Sequence, residues 1–320
     1  MVSQQGLAFG IVGLGKIGHS LASQALDKGI HVVGFDIAGV SGELIRAGID
    51  PAGSLQELCL RLDAPRIVFL YIPAGPVVDD VLQQLAPHLA PQDIVVDGGN
   101  SYWGDSIRRH ERLGELGLQF VDVGTSGGIA GARHGACFMA GGEPQAIEHV
   151  EPILRSLAVE GGYVHAGSPG AGHFVKLVHN GIEFGMLQAI AEGVDLLEHA
   201  PFRLDLAEVL HCWRHGSVIR GWLIDLMEKT YRERDGLQAV EPYVEDTGEV
   251  DWLVHDAMHM EVPIPVIALA VMQLYASRDP GQNWARAIAM MRHGFGGHPY
   301  GRDESLAEER RVGRVGPYPR

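Results

Sequence analysis

Lys176, His179, Asn180 and Glu183 recur at i, i+3, i+4 and i+7 in the run His173-Phe174-Val175-Lys176-Leu177-Val178-His179-Asn180-Gly181-Ile182-Glu183-Phe184-Gly185. At about 100° per residue, these four side chains share one helical face within an arc of roughly 100°. Most of the other residues in the run are apolar or glycine. The spacing therefore predicts a helix buried on most sides, with one narrow polar stripe facing a cleft. A desolvated lysine loses its proton readily and can serve as a base. A carboxyl in the same setting can be pushed toward the acid role. Two plainer readings stand beside this one: a solvated face, or a structural Lys176–Glu183 ion pair, for which two helical turns is a long reach.

A second constellation lies near the N-terminus. Gly13-Leu14-Gly15-Lys16-Ile17-Gly18 follows the strand-like run Leu7–Val12 directly and opens a helical segment at Ile17–Lys28. In such a turn the first glycine bends the chain and the second admits a pyrophosphate. The third lets helix and strand pack, while the helix N-terminus offers N–H groups to the anion. Asp36, 18 positions beyond Gly18, ends a second strand-like run. A carboxylate there binds the ribose hydroxyls and repels a 2′-phosphate, so the expected cofactor is NAD rather than NADP. A glycine turn without a ligand is the plainer alternative.

The elements that must hold these groups alternate in the first half of the chain. Apolar runs at His31–Phe35, Arg66–Ile72, Asp93–Val96 and Gln119–Val123 read as strands. Helical patterns such as Val77–Leu89 and Ser106–Leu116 fill the gaps. This alternation predicts an α/β Rossmann domain with a doubly wound, mostly parallel sheet over residues 1–172. Glycine-rich stretches at Gly98-Gly99, Gly124, Gly127-Gly128 and Gly141-Gly142 read as loops at the ligand-bearing strand ends. Beyond Ser168-Pro169-Gly170-Ala171-Gly172 the strand signals vanish. Helical patterns at about 173–199, 204–234, 250–259 and 263–293 predict an all-α domain over residues 173–320. The tail from Gly301, with Arg302, Arg310, Arg311, Arg314 and Arg320, reads as an extended arm or a solvated segment.

Composition removes other classes. The 320 residues carry 25 Lys+Arg against 40 Asp+Glu, a formal charge of −15, which argues against nucleic acid or an anionic membrane as partner. Cys59, Cys137 and Cys212 lie far apart and imply no disulfide framework. The N-terminus shows no secretory signal. The longest apolar stretch, Val262–Tyr275, is shorter than a membrane span of about 20 residues, so a soluble cytoplasmic protein is expected. His211 and His215 lie at i, i+4, but no third ligand accompanies them and no metal is predicted.

Three motifs carry a family resemblance. Asp97-Gly98-Gly99-Asn100-Ser101 follows a strand; Gly124-Thr125-Ser126-Gly127-Gly128 precedes Gly131-Ala132-Arg133 and Gly135; and Gly170-Ala171-Gly172-His173 leads into the polar stripe. With these, the chain resembles the decarboxylating 6-phosphogluconate dehydrogenases, in particular their short, NAD-preferring bacterial branch, from about residue 7 to His298. The resemblance implies Lys176 as the base that takes the C3 hydroxyl proton and Glu183 as the acid that protonates the enediol. It implies Asn100, Ser126, Gly127, Gly128, His179 and Asn180 as holders of the sugar-acid carboxylate and hydroxyls, with Asn100 also beside the cofactor. Arg292 and His298 have the spacing of a pair that reaches the site from a second subunit, so a homo-oligomer, dimer or tetramer, with shared active sites is implied. Family residues that touch the substrate phosphate fall at Phe184, Thr247 and Leu274 here, leaving Arg292 as the clear cation for a phosphate. The rival readings are a dehydrogenase for an unphosphorylated or otherwise substituted aldonate, and a β-hydroxyacid dehydrogenase or imine reductase. Outside the enzyme class stands a catalytically silent NAD-binding protein.

Overall fold

A computed structural model describes residues 6–234, 236–304 and 307, and the chain divides into two units, Met1–Gly181 and Ile182–Arg320. The strands are β1 (Ala8–Val12), β2 (His31–Phe35), β3 (Asp50–Pro51), β4 (Ile67–Leu70), β5 (Ile94–Asp97), β6 (Gln119–Ser126), β7 (Ala136–Gly142) and β8 (Ala158–Gly167). In the first unit the helices are α1 (Lys16–Asp27), α2 (Gly42–Ala47), α3 (Leu55–Leu60), α4 (Pro76–Leu85), α5 (Trp103–Gly114), α6 (Gly128–His134) and α7 (Pro144–Leu157). Helix α8 (Ala171–Glu198) begins in the first unit and continues into the second. The second unit then carries α9 (Leu206–Arg214), α10 (Trp222–Arg234), α11 (Glu249–His259), α12 (Pro265–Ser277) and α13 (Asn283–Gly296).

The eight strands form one sheet in the order β3-β2-β1-β4-β5-β6-β7-β8. All neighbours are parallel except β6 and β7. The order reverses direction between β1 and β4, which opens a crevice at their carboxyl ends. Strand alternation sends successive residues to opposite faces. Phe9, Ile11, Val32, Phe69, Val96 and Val121 enter one buried cluster, while Val12, Val33, Val68, Leu70, Val95 and Phe120 enter the other. Both faces are therefore covered, as the near-continuous apolar strands require.

The structure departs from the sequence reading in several places. Gly124 lies within β6 and not in a loop. Ala136–Gly142 is a strand, and its glycines are not a loop. Gly141 sits in mid-sheet because a Cβ there would lie 2.6 Å from Gly172 N, where α8 meets the sheet. Ala158–Gly167 is a further strand, pairing parallel with β7. The helical patterns 204–234 and 263–293 are each two helices. Gly216, at φ +79°, and Gly221 interrupt the first. Asp279-Pro280-Gly281 interrupts the second, since a proline cannot continue the helical hydrogen-bond ladder.

Arg302 pairs with Glu304 at 2.8 Å, while Arg310, Arg311, Arg314 and Arg320 lie outside the described residues. Among the described residues, no helix is long and apolar enough to cross a membrane.

Candidate active site

The turn after β1 closes on Asp36. The Leu14 and Ala38 amides donate to its two carboxylate oxygens at 2.7 and 2.8 Å, and Gly13 N–H donates to the Phe35 carbonyl at 2.9 Å. Gly13 holds φ +92°, and a Cβ there would lie 2.4 Å from the Tyr71 carbonyl oxygen. A Cβ on Gly18 would meet the Gly13 carbonyl oxygen at 2.0 Å, so the third glycine is the one that lets α1 pack. A Cβ on Gly15 would meet nothing within 4 Å. That open space lies at the N-terminus of α1, where Gly15 is the N-cap and no side chain caps the first amides. Gly13, Gly15, Asp36, Ile37 and Ala38 line a cavity of about 850 Å³. A dinucleotide fits this donor set: a helix N-terminus without a side-chain cap for the pyrophosphate, and a carboxylate with lone pairs to spare for ribose hydroxyls. Leu14, Lys16 and Ile17 sit on the same turn, with Leu14 already bonded to Asp36 and Lys16 exposed.

The N-terminus of α8 is fixed by a residue 48 positions earlier. Asp122, fully buried on β6, accepts the Gly170 amide at 2.6 Å and the His173 amide at 2.8 Å, as a capping carboxylate would. Burial pushes this carboxyl above its ordinary range, against His173 and the amides that favour its charge. His173 Nδ1 lies 2.7 Å from Ser106 Oγ. The helix lies close against the strand: a Cβ on Gly124 would fall 2.4 Å from Lys176 Cβ, and one on Gly172 would fall 2.5 Å from the Asp122 carbonyl oxygen. Glycine at both positions sets the depth at which Lys176 enters.

The stripe is hydrogen-bonded along its length. Lys176 Nζ donates to Asn180 Oδ1, and His179 Nδ1 lies 3.2 Å from the same oxygen. With that proton donated to Asn180, His179 Nε2 accepts the Ser126 hydroxyl at 3.1 Å. Asn180 is buried, while Lys176 and His179 are half-buried. The structure thus brings Lys176, His179, Asn180 and Ser126 together. Glu183, half-buried, lies seven residues along the same helix, within the second unit.

Two strand ends frame this cluster. After β5, buried Asp97 accepts Gly99 N–H at 3.1 Å and the Ser101 hydroxyl at 2.8 Å, which holds the loop bearing exposed Asn100. The fully buried Arg109 guanidinium lies 3.3 Å from Asp97 and 3.1 Å from Asp79, and Asp79 also pairs with Arg108 at 3.3 Å. After β6, Gly127 at φ +110° turns the chain into α6 and places Gly128 at its first position. Arg292, exposed, and His298 belong to the second unit, at and just past the end of α13; the His298 carbonyl accepts from His293 Nδ1 at 2.9 Å. His211 turns its Nδ1 to Glu228 at 3.1 Å. Among the described residues, no group of three or more His, Cys, Asp or Glu could hold a metal ion.

Sequence reading missed Tyr71, Ile72 and Pro73, which line the dinucleotide cavity at the end of β4. Their place after a strand at the switch point of the sheet was the available signal.

Residues 8–167 match the family model described as the NAD binding domain of 6-phosphogluconate dehydrogenase. Residues 172–286 and 198–311 match its C-terminal domain. The chain belongs to the 6-phosphogluconate dehydrogenase family. It is 41% identical over 293 residues to YqeC of Bacillus subtilis (strain 168), whose name assigns it provisionally to 6-phosphogluconate dehydrogenase, covering 91% of this chain and 98% of that one. It is 38% identical over 301 residues to the NAD(+)-dependent, decarboxylating 6-phosphogluconate dehydrogenase of Haloferax volcanii, covering 93% and 100%. Among solved structures, the Plasmodium falciparum 6-phosphogluconate dehydrogenase superposes with TM-score 0.77 at 27% identity, over 92% of this chain and 66% of that one. A Mycobacterium tuberculosis 3-hydroxyisobutyrate dehydrogenase shares the fold at 20% identity, with TM-score 0.67 over 82% and 91%. The 6-phosphogluconate dehydrogenase family makes the chain an oxidoreductase with an NAD-binding domain.

Proposed function

We propose that the chain catalyses the oxidative decarboxylation of 6-phosphogluconate with NAD, giving a pentulose phosphate and CO2. The observation that carries this reading is the single hydrogen-bonded stripe of Lys176, Asn180, His179 and Ser126 at the end of β6. Bound NAD would accept the hydride from C3 of the sugar acid. Lys176, entering as the neutral amine, takes the C3 hydroxyl proton as that hydride leaves. The resulting ammonium polarises the new C3 carbonyl, so the electron pair freed by loss of CO2 is held as an enediol. Glu183 then gives a proton to the carbon that carried the carboxylate, which yields the ketose. Asn100, Ser126, Gly127, Gly128, His179 and Asn180 hold the carboxylate and hydroxyls. Asp36 favours NAD over NADP by repelling a 2′-phosphate.

The active enzyme is a homo-oligomer in which Arg292 and His298 serve a neighbouring subunit. Support comes from apolar stripes on the second unit: Val266, Leu269 and Met272 on α12 are 67%, 55% and 52% exposed, and Trp284, Ile288 and Met291 recur at helical spacing on α13 with similar exposure. Exposed apolar surface of this extent marks an interface.

One observation favours a second substrate, an aldonate without the terminal phosphate. Phe184 and Leu274 line a largely apolar cavity of about 480 Å³ in the second unit, together with Glu245 and Asp246. Asp246 is paired with Arg278 at 2.9 Å, so that cation is already engaged. A panel of phosphorylated and unphosphorylated sugar acids, followed by NADH absorbance, separates the two. Highest kcat/KM with 6-phosphogluconate supports the first reading; highest kcat/KM with gluconate or another free aldonate replaces it with the second.

A further inference from the structure

Tyr71 follows β4 and lines the dinucleotide cavity, yet its hydroxyl points away from that turn to Thr125 Oγ1 at 3.2 Å. Its backbone and ring touch three strand ends. The Tyr71 amide donates to the Val12 carbonyl at 2.8 Å, and its carbonyl oxygen occupies the space beside Gly13. Its ring fills the space at Gly98, where a Cβ would fall 2.5 Å from Cζ and 2.8 Å from the hydroxyl oxygen. Burial pushes the phenol well above its ordinary pKa, so the hydroxyl stays protonated and able to donate. Thr125 is followed directly by Ser126, whose hydroxyl begins the chain to His179, Asn180 and Lys176.

We propose that Tyr71 is a positioning residue of the reaction: its phenol ties the wall of the cofactor cavity to Thr125, and so keeps the Ser126–His179–Asn180–Lys176 chain in register with the bound dinucleotide. The tie is one neutral hydrogen bond between two half-buried side chains at the ends of β4 and β6. Gly98 is part of the same device, since any larger residue there would drive the phenol off Thr125.

The catalytic half of this role rests on the function proposed above, and the test has one arm that does not. Tyr71→Phe, Thr125→Val and the double variant are assayed with NAD and the sugar acid that the wild-type protein oxidises fastest. Each single change is expected to lower kcat about fivefold while the KM for NAD stays within about twofold. The double variant is expected to lose about fivefold and not about twenty-five-fold, because both changes remove one bond. Unchanged kcat in the single variants, multiplicative losses in the double, or a parallel rise in the KM for NAD would overturn the proposal. Hydrogen exchange read at residues 124–128 in the protein alone needs no substrate. Tyr71→Phe and Gly98→Ala should both speed exchange there and leave β1 and β2 unchanged; unaltered exchange at 124–128 would overturn the tie. If the wild-type protein oxidised no sugar acid but the exchange arm held, the proposed reaction would fall and the tie would stand.

Discussion

The two units of this chain solve opposite problems. In the first, both sheet faces are covered by apolar clusters and the buried carboxylates of the site are paired, Asp97 with Arg109 and Asp122 with the amides of α8. Backbone approaches are so close that several glycines leave no room for a Cβ. In the second, Val194, Leu206 and Leu210 form one buried cluster, and large apolar side chains on α12 and α13 face outward. The first unit is finished as a folded object and can hold Lys176 at fixed depth, whereas Glu183 belongs to the second. The second has apolar surface left over, which a second copy of the chain can cover.

The largest effect that would sharpen this contrast is at the base itself. Lys176→Ala should lower turnover by about 10³-fold or more while the protein still binds NADH, measured by fluorescence titration; near-normal turnover would remove the lysine from its role. Gly124→Ala should act through position, since its methyl displaces the Lys176 side chain. A loss of about ten- to a hundredfold in kcat with a lowered melting temperature is expected, because the atom met is a Cβ fixed to the α8 backbone. Leu269→Lys combined with Ile288→Lys should leave NADH binding in the first unit intact and convert the oligomer to monomers in sedimentation, with activity lost alongside. An unchanged sedimentation coefficient would break the comparison.

The smallest effect is one of pH. Arg232, Arg214 and His211 bond the Glu228 carboxylate and hold its pKa down at about 2. A carboxyl with a depressed folded-state pKa contributes stability that is present above its unfolded value, near 4.5, and is lost as pH falls toward 2. Acid unfolding of the wild-type protein should therefore steepen in that window, and Glu228→Gln should flatten it.

Much of the first unit could be read from residues alone because its signals are local. The dinucleotide turn, the strand before it, the helix after it and Asp36 all lie within about thirty residues of one another. The polar stripe on α8 was legible for the same reason, as it occupies two turns of one helix. What escaped depends on distant partners. Gly141 reads as loop until α8 is seen to need its space, and Asp122 reads as a strand residue until it caps a helix 48 positions away. Tyr71 looks like one more apolar strand residue, and only its 3.2 Å contact with Thr125 gives it a place beside the site. In the second unit, the breaks at Gly216–Gly221 and Pro280-Gly281 divide patterns whose apolar periodicity runs on through them.

In the proposed reaction one face of α8 carries both an oxidation and a decarboxylation. The direct measurement supplies the purified protein with NAD and 6-phosphogluconate labelled with carbon-13 at C1, and follows NADH and labelled CO2 together. One labelled CO2 released for each NADH formed is the predicted result. NADH formed without labelled CO2, with the oxidised six-carbon acid accumulating, would contradict it.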